Sequence, residues 1–233
     1  MNSIHPQAII GPDVTMGSGN TIGPFAVLMG RVTLGDDNWI GSGVTIGAPP
    51  EVRGWEHPDS WDEVPGGGVD IGHRNVIREY AQIHQGWKAV TTIGDDGFLM
   101  NQIYVAHDCV LGDGVTMASG VRLAGHVTVQ DRANLGMGAC VHQRRVIGVG
   151  VMVGMGAVVT RDVPPLALVR GNPARIGRSN RYQSERMGLT AQVCDQVDAL
   201  YRDDATGESA GEVLGALDGL SEPFGAWQAC RSL

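Results

Sequence analysis

The chain lacks the features of a membrane or secreted protein, and it is poor in aromatic residues. Only 5% of its 233 residues are Phe, Trp or Tyr. No apolar run approaches the length of about 20 residues that a membrane-spanning helix needs. The N-terminus also lacks the basic stretch followed by an apolar stretch that marks a secretory signal. We therefore expect a soluble protein of the cytoplasm that does not insert into a membrane.

Paired cysteines and net positive charge are also missing. The four cysteines lack the C-x-x-C spacing of zinc and redox motifs, so we expect reduced residues that pack in the interior. They are Cys109, Cys140, Cys194 and Cys230. The formal net charge of −8 argues against general nucleic-acid binding.

Arginine is nevertheless concentrated in one segment. Between Arg122 and Arg186 the sequence has ten arginines and three acidic residues, which gives a local charge of +7. Such a segment fits an acidic partner or a phosphate group, and it fits equally well a basic exterior in contact with water.

What the chain has in abundance is glycine, and many of its 35 glycines follow a six-residue apolar repeat. An early block of this repeat runs from Ile4 to Ile46, and a short block covers Ile71 to Ile83. The longest block misses no position over twelve repeats: Ile93, Leu99, Val105, Leu111, Met117, Leu123, Val129, Leu135, Val141, Ile147, Val153 and Val159.

A period of six fits a chain that turns a corner every six residues and closes a triangular coil every eighteen. The apolar residue then fills the interior, and the small residue beside it lets the backbone turn. We predict a left-handed parallel β-helix over residues 1–178. The flat faces of such a prism usually pack around a three-fold axis, so we expect a homotrimer with clefts between the copies.

Two interruptions break the repeat. A segment over residues 48–70 is rich in Pro and Gly and is predicted to be an inserted loop. It carries Trp55 and Trp61, which on such a loop more often cover a site or an interface than lie in solvent. A second break, between Trp87 and Thr92, shifts the register by four residues.

The period changes after the paired prolines Pro164 and Pro165, which are expected to end strand pairing. We predict a connector over residues 170–180 and a helical region over residues 179–233. Helical spacing marks two stretches of this region, Val193, Val197 and Leu200 in one and Val213, Leu214, Leu217 and Leu220 in the other. The capping pair Ser209 and Glu212 precedes the second stretch. Ser221, two residues before Pro223, indicates a further helix start.

Residues eighteen apart form columns along one corner of the predicted prism, and two adjacent columns are unusually polar. One holds His107, Gly125 and Gln143, and the next holds Asp108, His126 and Arg144, with His142 beside them. A histidine removes a proton at neutral pH, and an adjacent carboxylate fixes its tautomer. A glycine N–H can approach a developing oxyanion. This set predicts direct acyl transfer from a thioester, without a serine or cysteine nucleophile.

A three-histidine zinc site is the alternative that a β-helix of this shape offers. The gamma-class carbonic anhydrases use a His-x-x-x-x-His pair and an earlier histidine. His84 could stand for the earlier one, but the residue five positions after His107 is Gly112. We therefore predict no metal.

Six motifs in a consistent order over about residues 4–190 resemble one branch of the hexapeptide-repeat acyltransferases. They are NVIREYAQIHQG (75–86), YVAHDCVLG (104–112), LAGH (123–126), VHQ (141–143), DVPP (162–165) and RGNPA (170–174). The branch is that of the UDP-N-acetylglucosamine 3-O-acyltransferases of lipid A biosynthesis. General hexapeptide acetyltransferases share the repeat and GNPA but not the histidine motifs.

The resemblance implies transfer of a 3-hydroxyacyl group from acyl carrier protein to a hydroxyl of a nucleotide sugar. An acyl-coenzyme A donor is the alternative that the sequence leaves open. The resemblance also implies no cofactor and no metal. His107 would be the general base, Asp108 its partner and the Gly125 N–H the oxyanion donor. The other residues carried over by motif would bind substrate. His126, His142 and Gln143 would line the cleft, and Asn180 and Arg186 would contact the nucleotide. Met155 would limit the length of the acyl slot, and its large side chain favours a short or medium acyl chain.

Four departures from the family pattern lie around the acceptor. The segment EVRG (51–54) replaces Gln-Asp-Leu-Lys, and Tyr104, Tyr182 and Met187 replace a histidine, an acidic residue and an arginine. A paralogue that acylates another sugar or an amine therefore remains open. So does a non-catalytic β-helix scaffold, although such a scaffold would be expected to lose His107, Asp108 or Gly125.

Overall fold

The computed structural model describes residues 1–61, 63–202 and 221–231. Most of them form a parallel β-helix of triangular cross-section, in which three flat sheets meet at three corners. The chain passes from sheet 1 to sheet 2 to sheet 3 in each coil. We call the corner between sheets 1 and 2 the first corner, that between sheets 2 and 3 the second, and that between sheets 3 and 1 the third.

Short strands of two to five residues build the sheets. In sheet order, the ten described strands of sheet 1 are β1 (Ser3–Ile4), β4 (Thr21–Ile22), β7 (Trp39–Ile40), β10 (Val76–Ile77), β13 (Phe98–Leu99), β16 (Thr116–Met117), β19 (Asn134–Leu135), β22 (Met152–Val153), β24 (Ala167–Arg170) and β25 (Arg175–Ser179). The eight of sheet 2 are β2 (Ile9–Ile10), β5 (Val27–Leu28), β8 (Thr45–Ala48), β11 (Gln82–His84), β14 (Tyr104–Val105), β17 (Arg122–Leu123), β20 (Cys140–Val141) and β23 (Val158–Val159). The seven of sheet 3 are β3 (Val14–Met16), β6 (Val32–Leu34), β9 (Val69–Ile71), β12 (Thr91–Ile93), β15 (Val110–Leu111), β18 (Thr128–Val129) and β21 (Val146–Ile147).

The apolar repeat forms the core, as predicted. All twelve repeat residues from Ile93 to Val159 are at most 4% exposed. Each such side chain stabilises the fold by about 1.5–3 kcal/mol relative to an exposed one. The first coil is the open end of the prism, and there Ile4 and Ile9 are exposed.

Strand pairing confirms both predicted interruptions. Ordinary coils repeat every eighteen residues, as when Thr116 pairs with Asn134. The inserted loop begins after Ala48 and ends before Val69. The four-residue shift lies between strands β11 and β12, since Val76 pairs with Phe98, a step of twenty-two residues.

Three buried asparagines form a ladder in the early coils. Asn38 donates its backbone N–H to the Asn20 Oδ1 (2.9 Å), and its own Oδ1 accepts the backbone N–H of Asn75 (2.9 Å). The Asn75 Oδ1 accepts the Gly97 N–H (2.7 Å). These side chains satisfy backbone groups that the turning chain would otherwise bury without partners.

Aspartate side chains also accept backbone N–H groups, at the third corner. The Asp95 N–H donates to Asp113 Oδ1 (2.8 Å), and the Asp113 N–H donates to Asp131 Oδ1 (2.9 Å). Backbone donation from His73 is the main reason why the pKa of Asp95 lies below its ordinary value.

The predicted connector over 170–180 is wrong. After the prolines the chain re-enters sheet 1 as β24, which pairs with β22, and then turns back as the antiparallel strand β25. Met152 pairs with Leu168, a step of sixteen residues instead of eighteen, so counting in sixes misses the strand. Val169 is buried while Arg170 is exposed, which is the two-residue alternation of a strand.

Helices complete the described chain: α1 (Arg181–Arg186), α2 (Ala191–Arg202) and α3 (Ser221–Arg231). Val193 and Val197 are buried on α2, and α3 begins at Ser221, as the sequence predicted. The predicted face over 213–220 and its capping pair lie outside the described residues. The predicted division at residue 178 falls at the end of β25. Among the described residues, no helix combines the length and apolarity needed to cross a membrane.

We predict that Asn38→Ala lowers the free energy of unfolding by about 3 kcal/mol, because each buried group left without a hydrogen-bond partner costs about 1–3 kcal/mol. The Asn75 N–H and the Gly72 carbonyl would both lose their partner. Guanidinium unfolding followed by circular dichroism measures this change. The control is Asn134→Ala, which removes an exposed asparagine of β19. Equal unfolding midpoints for the two variants would contradict the role of the ladder.

Candidate active site

His107 and Asp108 form a hydrogen-bonded pair at the second corner, directly after β14. The His107 Nδ1 lies 2.6 Å from the Asp108 Oδ2. The side chains are 13% and 1% exposed, so the ring can reach solvent whereas the carboxylate cannot. This leaves Nε2 of His107 as the nitrogen that can meet a substrate.

The four-residue insertion holds the carboxylate in place. Asp108 Oδ1 accepts the backbone N–H groups of Trp87 (3.2 Å), Lys88 (2.7 Å) and Ala89 (2.5 Å). The Asp108 N–H in turn donates to the Thr91 hydroxyl (3.0 Å). The segment that causes the predicted shift in register therefore holds the Asp108 carboxylate in place. The sequence did not reveal this role.

These donors set the charge of the carboxyl group. Burial raises the pKa of Asp108, but the N–H groups of Ala89, Lys88 and Trp87, together with His107, outweigh it and hold the pKa below its usual value. Asp108 is thus ionised throughout the range in which a histidine takes up a proton. An ionised partner fixes the His107 tautomer with the proton on Nδ1 and stabilises the imidazolium that forms.

Two aromatic side chains bracket the His107 ring. The His126 ring lies edge-on with its centroid at 5.1 Å, and the Trp87 ring lies edge-on at 6.2 Å. The His126 Nε2 is 3.7 Å from the Asp108 Oδ2. Burial lowers the pKa of His126 despite that carboxylate, and Arg144 lowers it further. Hence His126 favours its neutral form beside the pair.

Gly125 lies one coil further along the same column, against the His107 ring. A Cβ added to Gly125 would lie 2.6 Å from the His107 Cε1, so any larger residue would have to displace the His107 ring. The neighbouring His126 N–H donates to the His107 carbonyl (3.0 Å), whereas within the described part of the chain the Gly125 N–H meets no acceptor. A backbone donor without an acceptor in the described chain therefore lies beside the His107 ring.

The predicted site residues fall into two groups. His107, Asp108, Gly125 and His126 share the second corner, and His142 and Gln143 follow one coil further on, exposed at the same corner. The column arithmetic is thus confirmed for the first group.

The second group lies elsewhere on the prism. Met155 follows β22 at the first corner and is 75% exposed. Asn180 caps α1 and donates to the Gly150 carbonyl (2.8 Å) at the third corner. Arg186 lies over the Tyr182 ring, its guanidinium carbon 5.6 Å from the ring centroid. One copy of the chain therefore does not bring these three residues to His107.

The inserted loop packs beside the histidine corner. The Tyr104 hydroxyl donates to the Glu51 carboxylate, and burial together with this contact raises the pKa of Tyr104. The Tyr104 ring also contacts His84, at 5.1 Å between centroids. Two of the departures from the family pattern are thus in contact with each other.

The loop tryptophans differ from each other. Trp55 is half-buried and lines a cavity of about 350 Å³ together with Trp87, Arg53 and Glu56. Trp61 is 70% exposed and covers no site within one chain, so a role at an interface stays a prediction for it.

The chemistry of the donor set bears on the zinc alternative. His107, Asp108 and His126 offer ligand atoms within 4.8 Å of one another. However, both oxygens of Asp108 already accept hydrogen bonds, from His107 and from the backbone. The Nδ1 of His84 lies 2.8 Å from the Pro49 carbonyl, which orients that ring as a donor. The arrangement is that of a histidine oriented by an ionised carboxylate, and the absence of a metal stays a prediction.

Comparisons with known proteins give a consistent result. The family model described as bacterial transferase hexapeptide (six repeats) matches residues 13–48. The acyl-(acyl-carrier-protein)–UDP-N-acetylglucosamine O-acyltransferase of Aliivibrio salmonicida is 34% identical over 229 residues, 91% of this chain and 87% of the relative. The solved UDP-N-acetylglucosamine acyltransferase of Francisella novicida has a TM-score of 0.75 at 28% identity, and the superposition covers 96% of this chain and 85% of that one.

Some matches are shorter. The relative of the same name in Aliivibrio fischeri is 40% identical over 149 residues, which is 61% of this chain and 57% of that protein. The chain thus matches less than two thirds of the length of that relative.

We predict that Asp108→Asn lowers kcat/KM by about 10²–10⁴-fold, because the amide oxygen would keep the backbone donors and turn its NH₂ toward His107, which favours the wrong tautomer. Steady-state kinetics measures the loss, and ¹⁵N NMR of the His107 ring reports the proton shift from Nδ1 to Nε2. The control is Asp113→Asn, which alters a carboxylate that also accepts a backbone N–H but contacts no histidine. Loss of activity with an unchanged His107 tautomer would contradict this explanation.

We expect Gly125→Ala to reduce the rate by about 10²-fold or more, because the new methyl group must displace the His107 ring and an error of about 1 Å in a catalytic group has that effect. The thermal midpoint serves as the check on folding. Gly177→Ala is the matched control, since its Cβ would meet no atom closer than 3.9 Å. If both variants kept full activity, the close contact would have no catalytic meaning.

Proposed function

The chain belongs to the family of the UDP-N-acetylglucosamine O-acyltransferases, and from that membership we propose that it transfers an acyl group from acyl carrier protein to a hydroxyl of UDP-N-acetylglucosamine. A 3-hydroxyacyl group is the proposed cargo. The reaction would provide the first acylated sugar of lipid A. We also propose that the enzyme acts in the cytoplasm, where it would meet both substrates.

One observation carries the proposal. A histidine with one free ring nitrogen is held by a buried, ionised aspartate, and a glycine N–H without an acceptor in the described chain lies against the ring. A base and an oxyanion donor on one corner are what direct acyl transfer needs. A thioester already supplies a good leaving group, so no covalent enzyme intermediate is required.

The steps follow from these positions. Nε2 of His107 takes the proton of the acceptor hydroxyl as its oxygen attacks the thioester carbonyl carbon. The carbonyl oxygen becomes an oxyanion that accepts the Gly125 N–H, while Asp108 stabilises the imidazolium. When the tetrahedral intermediate collapses, the C–S bond breaks and His107 returns its proton to the thiolate. The products are an ester and a free thiol.

The remaining predicted residues enter through a neighbouring copy. Met155, Asn180 and Arg186 lie at the first and third corners, so a homotrimer would bring them to the second corner of the next copy. In that assembly His126, His142 and Gln143 bind the acceptor, Asn180 and Arg186 bind the nucleotide, and Met155 limits the acyl slot to a short or medium chain. The arginine-rich segment 122–186 would attract the acidic carrier protein.

We expect wild-type protein incubated with 3-hydroxyacyl and simple acyl carrier-protein thioesters and UDP-N-acetylglucosamine to form an acylated sugar nucleotide, detected by intact mass. His107→Ala should form at least about 10²-fold less, because general base catalysis contributes about 10²–10⁴-fold. His5→Ala, an exposed histidine of the first coil, is the control. Thioester loss that depends on His107 without a sugar product would reject this acceptor, and product formed equally by His107→Ala would reject the base.

A further inference from the structure

A cavity outside the histidine cluster lies between the C-terminal end of the β-helix and α3. Its volume is about 340 Å³. Small-molecule sites occupy about 300–1,000 Å³, so this cavity suits a small ligand. Its wall is mainly apolar, with Val159, Val163, Val169 and Ile176 from the β-helix and Trp227 from α3. The ligand that fits such a wall has an apolar body.

Arginines supply most of the polar part of the wall. They are Arg145, Arg161 and Arg175 of the β-helix and Arg231 of α3, and in the described chain they face one carboxylate, that of Asp162. Four arginines against one aspartate leave an excess of three positive charges. Each guanidinium can donate two parallel N–H groups to an anion, so the wall favours a ligand with an anionic head group.

The Asp162 carboxylate already bonds to its own neighbours. Its Oδ1 accepts the Val146 N–H (3.0 Å) and lies 3.3 Å from Nη1 of Arg145. Its Oδ2 accepts the Nε–H of Arg231 (3.1 Å). Asp162 therefore orients two of the four guanidinium groups, one from the β-helix and one from α3.

The other two arginines lack a carboxylate partner. Within residues 1–61, 63–202 and 221–231, no carboxylate pairs with Arg161 or Arg175. Arg175 donates to the carbonyl of Ala174 (3.2 Å), which leaves its charge uncompensated. Two cations of the wall are thus available to an anionic group.

Trp227 adds a buried donor to the same wall. The residue is 2% exposed, and its Nε1–H meets no acceptor in the described part of the chain. A buried N–H group without a partner is costly, so a ligand oxygen that reaches it removes that cost. The Arg231 guanidinium carbon lies 4.6 Å from the centroid of the Trp227 ring. The helix α3 therefore presents a cation and a neutral donor side by side.

We propose that this cavity binds a small aliphatic carboxylate, such as the anion of a medium-chain fatty acid. The carboxylate meets Arg161 and Arg175, one of its oxygens accepts the Trp227 N–H, and the aliphatic stem lies on the apolar wall. Such a ligand contacts the β-helix and α3 at once and holds them together. The proposal goes beyond the acyltransfer and does not depend on it, since the lining includes no residue of the histidine cluster.

An alkyl phosphate offers the same chemistry, an anionic head group on an aliphatic stem. The mainly apolar wall favours the carboxylate, because a monoanion costs less to remove from water than the dianion of a phosphate ester. The two sources are compared directly in the experiment.

Isothermal titration calorimetry compares octanoate, octanol and acetate as ligands of the wild type. We expect octanoate to bind at least about tenfold more tightly than octanol, which lacks the charge, and than acetate, which lacks the stem. The double variant Arg161→Ala/Arg175→Ala should lose the preference for octanoate over octanol. The control with the same change in charge is Arg170→Ala/Arg178→Ala, which removes two exposed arginines outside the lining and should bind octanoate as the wild type does.

The response of α3 is the second measurement. Octanoate that binds the folded protein alone should raise the thermal midpoint, and it should slow hydrogen exchange of the α3 amides because it contacts both sides of the cavity. His107→Ala should respond as the wild type does, since the histidine corner takes no part. Thermal midpoints without ligand show whether each variant is folded.

Several outcomes would overturn the proposal. Octanoate that binds no more tightly than octanol, or equally to the wild type and to Arg161→Ala/Arg175→Ala, does not occupy this cavity. Loss of octanoate binding in His107→Ala would assign the ligand to the histidine corner. Octyl phosphate that binds more tightly than octanoate would make the ligand a phosphate ester. None of these measurements needs turnover, so a failure of the proposed acyltransfer would leave the carboxylate site standing.

Discussion

Parallel backbone pairing between successive coils is the interaction on which everything else in this molecule depends. Each coil donates and accepts hydrogen bonds with the coils above and below, as the His126 N–H does to the His107 carbonyl and the Arg144 N–H to the Gly125 carbonyl, both at 3.0 Å. This pairing aligns residues that are eighteen positions apart. Chemical groups that are distant in the sequence therefore line up on one corner at about 4.8 Å spacing.

The regular coils align residues along the corners, and the two interruptions of the repeat supply the groups that contact Asp108 and Tyr104. The inserted loop leaves the second corner after β8, the four-residue turn leaves it after β11, and His107 stands on it after β14. Three successive passages of the same corner are thus altered. The turn contributes the backbone donors that hold Asp108, and the loop contributes Glu51, which contacts Tyr104.

Periodic signals in the sequence predict much of the fold and bring six of the nine predicted site residues to one corner. The apolar register marks the core, and the column rule brings His107, Gly125 and His126 together. Side-chain hydrogen bonds to the backbone are not periodic, so the asparagine ladder and the donors to Asp108 escaped prediction. The strand β24 escaped because its step is sixteen residues. Motif resemblance assigned Met155 and Arg186 to the site without regard to which corner each would occupy.

The inserted loop has a further consequence for how such a protein can change. Its ends, Ala48 and Val69, lie at the second corner of one coil, and pairing of β8 with β11 and of β9 with β6 fixes the register on either side. Doubling the length of a flexible loop costs only about 0.6 kcal/mol in closure entropy. The second corner can thus accept inserted segments of different length and composition while the coils keep their alignment. The length and composition of this segment can therefore change while His107 and Asp108, two coils further on, keep their positions.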